Sequence, residues 1–257
     1  MQKIKLLAVT LSLLTALPVM AADAPAAPAV TSNVSLVSNY LYRGISQTGG
    51  KPAIQGGFDY AHASGFYAGA WGSSISWLGD AGVATNAGLE LDTYLGYKNA
   101  FATDYSYDVG FLRYNYPGTY VAGATKADTN EIYGALGYKW ITAKYSYSLG
   151  DTFGVPDAQG TGYIDLSASY SLTDSGITLG AHYGKQSYKG SSAAYTAATA
   201  SGTPSYSDYK LSATKDFSGY VVGVAYSKTN ATSGGFYTVL GKDLGKGTAV
   251  VSVSHTF

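Results

Sequence analysis

The chain has no cysteine, few charged residues and no interior apolar run long enough for a membrane helix. Charged residues make up 12% of its 257 residues, whereas about 25% is usual for a soluble domain. No interior stretch approaches the roughly 20 apolar residues that a transmembrane helix needs. The lack of cysteine excludes disulfide cross-links and is compatible with an oxidising compartment. The composition therefore disfavours both a charged soluble domain and a helical membrane protein.

Tyrosine and glycine are abundant instead, with 25 and 33 residues, and apolar and polar side chains alternate along many segments. In residues 38–47, Tyr40 and Tyr42 share one face of an extended chain, while Asn39 and Arg43 share the other. Such alternation is typical of a strand with lipid on one side and water on the other. The sequence predicts an all-β fold, a transmembrane antiparallel up-and-down β-barrel of about 12 strands.

The N-terminal residues 1–21 have the pattern of a secretory signal peptide. Lys3 and Lys5 form a positive region, residues 6–17 are apolar, and small residues precede a predicted cleavage site after Ala21. A membrane anchor is the alternative, but the apolar run is too short to span a bilayer. We therefore predict export of the chain through the periplasm.

Residues 22–30 are rich in alanine and proline and predict an unstructured linker, and residues 31–257 form the predicted barrel. Without the signal peptide the chain has 14 basic and 16 acidic residues, a formal charge of −2. A nucleic-acid-binding protein would be expected to carry a basic patch. The charge balance thus disfavours nucleic acid as a partner.

Strand assignments follow from the alternation, and two of them affect the strand count. The first predicted strand covers residues 33–44. Residues 229–247 contain a weak strand pattern, but bacterial single-chain barrels have even strand numbers. We therefore interpret them as one long excursion that can contain a hairpin above the membrane. The last strand is then residues 248–257, and its terminal Phe257 resembles the signal that the barrel assembly machinery reads.

Six blocks of the sequence resemble one family. The first three are SNY-L-YRGISQ at 38–47, QGGFDY at 55–60 and GFYAGAWGS at 65–73. The later three are ELD and GY within 90–97, DVG and YPG within 108–118, and EIY at 131–133. These blocks are similar to the TorF-like porins, a proteobacterial outer-membrane family first catalogued as conserved hypothetical proteins. The resemblance covers the chain from about residue 31 to the end and implies an outer-membrane location and a pore, with no established substrate.

The candidate functional residues are the charged residues that the alternation places on the inner face of the strands. They can form a constriction that sorts small solutes by charge, or they can pair with one another and fill the lumen. The candidates are Arg43, Asp59, Glu90, Asp92, Asp108, Glu131, Lys139, Lys144, Asp165, His182, Asp208 and Lys210. Arg43 is expected near the outer rim, where a fixed positive charge would favour anions.

The aromatic residues have two interpretations. The outward tyrosines together with Trp71, Trp77 and Trp140 predict a girdle at the membrane surfaces. Tyr94 and Tyr133 are expected to face inward, which leaves open a track for sugars.

Two other classes of function stay open beside a channel for passive diffusion of small hydrophilic solutes. One is a non-conducting structural or surface-recognition barrel that binds a partner through the loop at residues 185–205. The other is an outer-membrane lipid-modifying enzyme, in which His182 would activate a serine. No cysteine or histidine cluster has metal-ligand spacing, so no metal site is expected. On the channel interpretation no cofactor or catalytic residue is expected either. The expected partners are outer-membrane lipid, small solutes and the barrel assembly machinery.

Overall fold

The computed structural model describes residues 29–189 and 204–257. The predicted signal peptide, residues 22–28 of the predicted linker and residues 190–203 of the predicted loop lie outside the described residues. Within the described ranges, no helix has the length and apolar character needed to cross a membrane. In chain order the elements are β1 (Ala29–Val37), β2 (Leu41–Tyr42), β3 (Ile45–Ser46), β4 (Ala53–Ala61), β5 (Phe66–Ser74), α1 (Trp77–Asp80), β6 (Ala84–Thr85), β7 (Leu89–Ala102), β8 (Tyr105–Asn115), β9 (Thr119–Tyr120), β10 (Thr129–Tyr138), β11 (Ile141–Ser148), β12 (Gly162–Leu172), β13 (Ile177–Ser187), β14 (Tyr206–Phe217), β15 (Tyr220–Thr229), β16 (Thr238–Val239), β17 (Lys242–Asp243) and β18 (Thr248–Thr256).

Twelve strands form one closed antiparallel barrel in the order β1, β4, β5, β7, β8, β10, β11, β12, β13, β14, β15 and β18. Each barrel strand pairs with the next one along the chain, and β18 closes the barrel by pairing with β1. Long connections at one end alternate with short turns at the other, such as residues 103–104 and 218–219. The predicted strand number and up-and-down topology are confirmed, and the excursion at 230–247 contains the small β16–β17 hairpin.

Large apolar side chains cover the outside of the barrel. In β7, Leu89, Leu91 and Leu95 are exposed, whereas Glu90 and Asp92 between them are buried inside. This difference follows from the pleat, because successive side chains of a strand point to opposite faces. A continuous apolar outer surface of this kind suits the hydrocarbon region of a membrane.

Aromatic side chains collect around the end of the barrel that carries the short turns. The rings of Tyr105 and Tyr138 lie 4.7 Å apart, and those of Trp140 and Tyr170 lie 6.2 Å apart. Tyrosine and tryptophan favour the boundary between lipid and water because one part of each ring system is apolar and another is polar. Trp140 therefore occupies the position that the sequence predicted for a girdle residue.

Residues 38–52, which connect β1 to β4, fold back into the barrel, and we call them the inward segment. Tyr40 of this segment is buried, and its ring meets Trp71 of β5 edge to face at 5.6 Å. Leu78 from α1 and Tyr116 after β8 belong to the same buried cluster. The inward segment, α1 and the residues after β8 thus pack together inside the long-connection end of the barrel.

The inward segment turns at a two-residue hairpin. Tyr42 of β2 pairs with Ile45 of β3, which leaves Arg43 and Gly44 as the turn, with φ of 47° and 78°. Positive φ at both central residues is typical of a type I′ turn, whose twist matches that of the flanking strands. Glycine adopts such a φ freely, whereas a residue with a Cβ is disfavoured by about 1–2 kcal/mol.

Replacement of Gly44 by alanine is expected to loosen the inward segment. The added Cβ would lie 2.7 Å from Thr229 Cγ2 and 2.8 Å from Asp208 Cβ, so packing strain adds to a backbone penalty of about 1–2 kcal/mol. Hydrogen exchange of residues 41–46 should become faster. Gly50→Ala is the control, because Gly50 also has a positive φ of 82° but its Cβ would meet nothing within 4 Å. Equal effects of the two variants would contradict this account.

The predicted first strand is wrong at both ends. β1 begins at Ala29, within the predicted linker, and ends at Val37 instead of continuing to residue 44. The chain leaves the barrel wall after Val37 to form the inward segment. Consequently Tyr40 and Tyr42 lie inside the barrel and not on its outer face.

The predicted orientation of β5 is also wrong. Phe66 is exposed on the outer face, whereas Trp71 is buried and the Tyr67 hydroxyl donates to Asp108 across the lumen at 2.6 Å. Trp77 follows the strand and packs inside against Tyr116, with ring centroids 5.6 Å apart. Trp71 and Trp77 therefore do not belong to the girdle.

Candidate functional site

The barrel interior brings together most of the charged residues that the sequence placed there. Eleven of the twelve lie on the inner side, and these are Arg43, Asp59, Glu90, Asp92, Asp108, Glu131, Lys144, Asp165, His182, Asp208 and Lys210. Lys139 is the exception. It lies in the short turn after β10 with φ of 52°, and its Nζ is 3.8 Å from Asp104 Oδ2. The strand ends at Tyr138, so the alternation does not extend to Lys139.

Arg43 holds the tip of the inward segment against the barrel wall. Its Nη2 donates to Glu131 Oε2 at 2.7 Å, and its Nη1 donates to Gln186 Oε1 at 2.8 Å. The guanidinium carbon also lies 4.2 Å from the ring centroid of Tyr163 and 4.9 Å from that of Tyr42. A guanidinium suits this role because it donates in several fixed directions and stacks on aromatic rings.

The charge of Arg43 is compensated within the protein. Only 7% of its side chain is exposed, and burial alone would lower its pKa. The carboxylate of Glu131 together with Tyr42 and Tyr114 outweighs this effect of burial, so the pKa of Arg43 lies above its ordinary value. Arg43 is thus a buried, paired cation inside the barrel, not a free charge at the rim, and it does not present an open site for anions.

A second contact anchors the inward segment on β7. The Tyr40 hydroxyl donates to Glu90 Oε1 at 3.2 Å. Asp92, two residues further along the same strand, faces the same buried region. In the part of the chain that the structure describes, Glu90 Oε2 and Asp92 Oδ1 are buried without a hydrogen-bond partner. Among the described residues, each of these two carboxylates therefore buries one oxygen atom that accepts no hydrogen bond.

Tyrosine hydroxyls satisfy two other lumen carboxylates. Tyr94 donates to Asp59 Oδ1 at 2.5 Å, and Tyr67 donates to Asp108 Oδ1 at 2.6 Å. A hydrogen bond to a charged acceptor is shorter and stronger than one between neutral groups. These pairs fix both tyrosine rings across the lumen, and the predicted inward orientation of Tyr94 is confirmed.

Two lysine side chains, Lys144 on β11 and Lys210 on β14, face the lumen. The Nζ of Lys144 lies 3.7 Å from the ring centroid of Tyr133, which confirms the inward orientation of Tyr133. A cation over a ring face is attracted by the negative potential of that face. Lys144 pairs in register with Asp165 on β12, and Lys210 pairs in register with His182 on β13.

His182 lies between two carboxylates. Its Nε2 is 2.8 Å from Asp208 Oδ1, and its Nδ1 is 3.3 Å from Asp165 Oδ2. Ser167 Oγ is 3.1 Å from Nδ1, and the Tyr163 hydroxyl is 3.1 Å from Nε2. An imidazolium satisfies this arrangement, because both ring nitrogens then donate toward carboxylate oxygens.

This geometry does not suit the serine–histidine chemistry considered above. The Ser167 hydroxyl already donates to Asp165 Oδ1 at 2.5 Å. A general base needs a free ring nitrogen that accepts the serine proton, whereas both nitrogens of His182 face carboxylates. In addition, the described residues include no group of three or more side chains that could hold a metal ion.

One side of the lumen wall carries no charged side chain. On β15, β18 and β1, the alternating burial places small or uncharged residues inside. These inner residues are Thr31, Asn33, Ser35, Val37, Val221, Gly223, Ala225, Ser227, Thr229, Thr248, Val250, Ser252, Ser254 and Thr256. The eleven inner charges lie on the other strands or on the inward segment.

Beside Tyr40, Tyr42 and Trp77, other lumen residues were missed from the sequence, among them Tyr67, Trp71, Tyr163 and Gln186. The alternation that runs through β5 predicts Tyr67 and Trp71 on the outer face together with Ile75 and Trp77. Gln186 fell into the predicted loop, but β13 continues to Ser187 and the Gln186 side chain is buried. Extending the alternation of β13 from His182 by four residues would have placed Gln186 inside.

Comparison with known proteins gives a family and a fold. No curated protein sequence matches the chain. The KdgM porin, solved in complex with disordered oligogalacturonate, is similar in structure with a TM-score of 0.50 at 8% identity, over 89% of this chain and 98% of KdgM. OprD from Pseudomonas aeruginosa has a TM-score of 0.41 at 14% identity, over 89% of this chain and 66% of OprD. OccAB3 from Acinetobacter baumannii has a TM-score of 0.43 at 11% identity, over 86% of this chain and 59% of OccAB3.

At such low identity, the likeness to KdgM shows the 12-strand barrel fold alone. The model of a protein family described as "Bacterial protein of unknown function (Gcw_chp)" matches residues 21–257. This description does not confirm the TorF-like name. The matched residues include the whole predicted barrel. The chain therefore belongs to the Gcw_chp family of bacterial proteins of unknown function.

Proposed function

We propose that the protein is an outer-membrane channel for the passive diffusion of small hydrophilic solutes. The observation that carries this proposal is a closed 12-strand barrel with an apolar outer face and a lumen wall of charged and hydroxylated side chains. A lumen that served only as a packed core would not need so many charged residues, because a buried charge is unfavourable unless it is paired. The resemblance to the TorF-like porins supports the same function.

The path of the solute runs along the uncharged side of the lumen. The inner residues of β15, β18 and β1 are small, so they fill less of the barrel than Tyr67, Tyr94 and Tyr133 do from the other side. Charges that face a low-dielectric passage act strongly on a passing ion, because water screens them little. The inward segment narrows this path at the long-connection end.

The same proposal includes the biogenesis of the channel. The N-terminal residues 1–21 direct export through the periplasm, and the strand that ends at Phe257 is read by the barrel assembly machinery. The Phe257 side chain is exposed beside the last strand, where a partner can reach it. Outer-membrane lipid then surrounds the apolar face. Nothing in this function requires a catalytic residue, a cofactor or nucleic acid.

Single-channel recording on the refolded mature chain in a planar bilayer tests the proposal. We expect discrete, reproducible conductance steps that scale with salt concentration, as in a water-filled pore. A barrel that is folded by circular dichroism and inserted in the bilayer, but electrically silent, would contradict the channel function.

One observation favours a second function, a non-conducting barrel that presents a surface for recognition. The long-connection end is packed with buried residues from several loops, including Tyr40, Leu78 and Tyr116. Such packing can serve to fix external loops for binding. On this alternative the barrel is silent, and deletion of residues 190–203 abolishes binding of a surface partner.

A further inference from the structure

Two buried carboxylates in the lumen lack a cation. Glu90 and Asp92 lie on the same face of β7, and their exposed fractions are 0% and 6%. Glu90 Oε2 and Asp92 Oδ1 have no hydrogen-bond partner among the described residues. Most buried side-chain polar atoms in proteins do have one, so two such atoms on neighbouring inner positions call for an explanation.

The neighbours of this pair are hydroxyl groups. Tyr40 donates to Glu90 Oε1 at 3.2 Å, and Tyr116 lies next to the same carboxylate. The site thus contains carboxylate and hydroxyl oxygens that can surround a cation.

The protein's own cations are engaged elsewhere. Arg43 is bonded to Glu131 and Gln186, and Lys144 lies over the ring of Tyr133. Each of these contacts holds its cation at another part of the lumen. A pair of ionised carboxylates buried together is strongly unfavourable without a positive charge between them.

The lumen as a whole also has more acids than bases. Its carboxylates are Asp59, Glu90, Asp92, Asp108, Glu131, Asp165 and Asp208. The bases that face them in the described part of the chain are Arg43, Lys98, Lys144, His182 and Lys210. The net charge of these lumen side chains is therefore negative even when His182 is charged. A lumen of this sign attracts cations.

We propose that Glu90 and Asp92 bind a monovalent cation, either an alkali ion or the ammonium group of a solute, and make the channel prefer cations. This inference rests on the proposed channel function and names its class of solute. The cation preference replaces the anion preference expected from Arg43.

Reversal potentials in a salt gradient test this preference. With KCl, and separately with methylammonium chloride, the native channel should be cation-selective. In the double variant Glu90→Gln, Asp92→Asn, we expect the ratio of cation to chloride permeability to fall by about tenfold, within the range of local concentration that a charged cleft produces. The arm with the larger fall shows whether the alkali ion or the ammonium group is the better ligand.

Two matched controls separate this site from a general effect of charge. Asp104→Asn and Asp174→Asn each remove an exposed carboxylate in a short turn, outside the lumen. Both should change the ratio much less than the double variant. An anion-selective native channel, or a double variant with unchanged selectivity, would overturn the inference while leaving the channel function intact.

Thermal unfolding in detergent gives a second readout that needs no conductance. A ligand that binds only the folded state raises the melting temperature. Potassium or methylammonium chloride should therefore raise it for the native barrel, relative to tetraethylammonium chloride at equal ionic strength, whose bulky cation has no N–H group, and should not do so for the double variant. A silent native barrel that shows this shift refutes the channel but keeps the cation site. If neither cation shifts the native protein, the pair shares a proton and the site proposal is wrong.

Discussion

Replacing Arg43 by alanine is expected to release the inward segment and increase the conductance of the barrel. The change leaves the Glu131 carboxylate buried, with 2% of its side chain exposed, and without its cation. Breaking a buried ion pair by removing one partner destabilises a protein by about 3–5 kcal/mol. Because the inward segment is short, it is more readily displaced than the barrel wall. We therefore expect the lost stability to release the segment and open the lumen, without unfolding the barrel.

Single-channel recording and hydrogen exchange of residues 38–52 measure this release. We expect larger conductance steps and faster exchange in the segment, with unchanged exchange in β7 and β10. The double variant Arg43→Met, Glu131→Leu removes both charges and should recover much of the stability, as apolar replacements of buried ion pairs do.

A matched control exists in another long connection. Arg113 and Asp128 form a pair at 3.5 Å with 41% and 26% of their side chains exposed, and such exposed pairs contribute about 0–1 kcal/mol. Arg113→Ala should thus leave conductance and exchange of the inward segment unchanged. If Arg43→Ala behaves like this control, the buried ion pair does not hold the segment in place.

The barrel could be predicted from the sequence because its strands obey a simple period. In β7 the alternation of Leu89, Leu91 and Leu95 with acidic residues has one solution, since a carboxylate on the lipid face is unfavourable. The same reasoning placed Asp165 and Asp208 inside. Charges settle the orientation of a strand where they occur, and the strand count then follows from the alternation of long connections and short turns.

Where charges are lacking, the sequence leaves the orientation undecided. Phe66 to Ser74 contains only aromatic and small residues, and a tyrosine serves equally well as a girdle residue or as a lumen donor. Tyr67 faces inward because it reaches Asp108, which lies 41 positions away in the chain. No local pattern shows a contact of that range.

The inward segment was missed for a related reason. Its alternation around Tyr40 and Tyr42 is that of a strand, and β2 and β3 are indeed extended. The dipeptide Arg43-Gly44 is the turn signal, but arginine is an unusual first residue of a type I′ turn. Arg43 keeps its left-handed backbone conformation because the ion pair with Glu131 and the contacts with two tyrosine rings hold its side chain.

Replacing His182 by alanine is expected to destabilise the barrel by about 3–5 kcal/mol, because two buried carboxylates lose the cation between them. Asp165 and Asp208 would then face each other with 14% and 3% of their side chains exposed. Urea unfolding in detergent at neutral pH measures the loss. Asp165→Asn, Asp208→Asn in the His182→Ala background should restore much of it, because no charge is then left unpaired.

The pH dependence separates this electrostatic role from simple packing. Acid protonates the Asp165 carboxylate, which lies 3.3 Å from His182 Nδ1, so the stability difference between His182→Ala and the native protein should shrink as the pH falls. A cavity left by a deleted ring would instead destabilise the variant by a similar amount at every pH. The matched variant Ser167→Ala removes one hydroxyl from the same cluster, and we expect it to lower stability by only about 0.5–1.5 kcal/mol, the usual net contribution of a hydrogen bond. If the loss of stability in His182→Ala does not depend on pH, then His182 is not a cation that balances these acids. The net charge of the lumen is then more negative by one, which favours cations further.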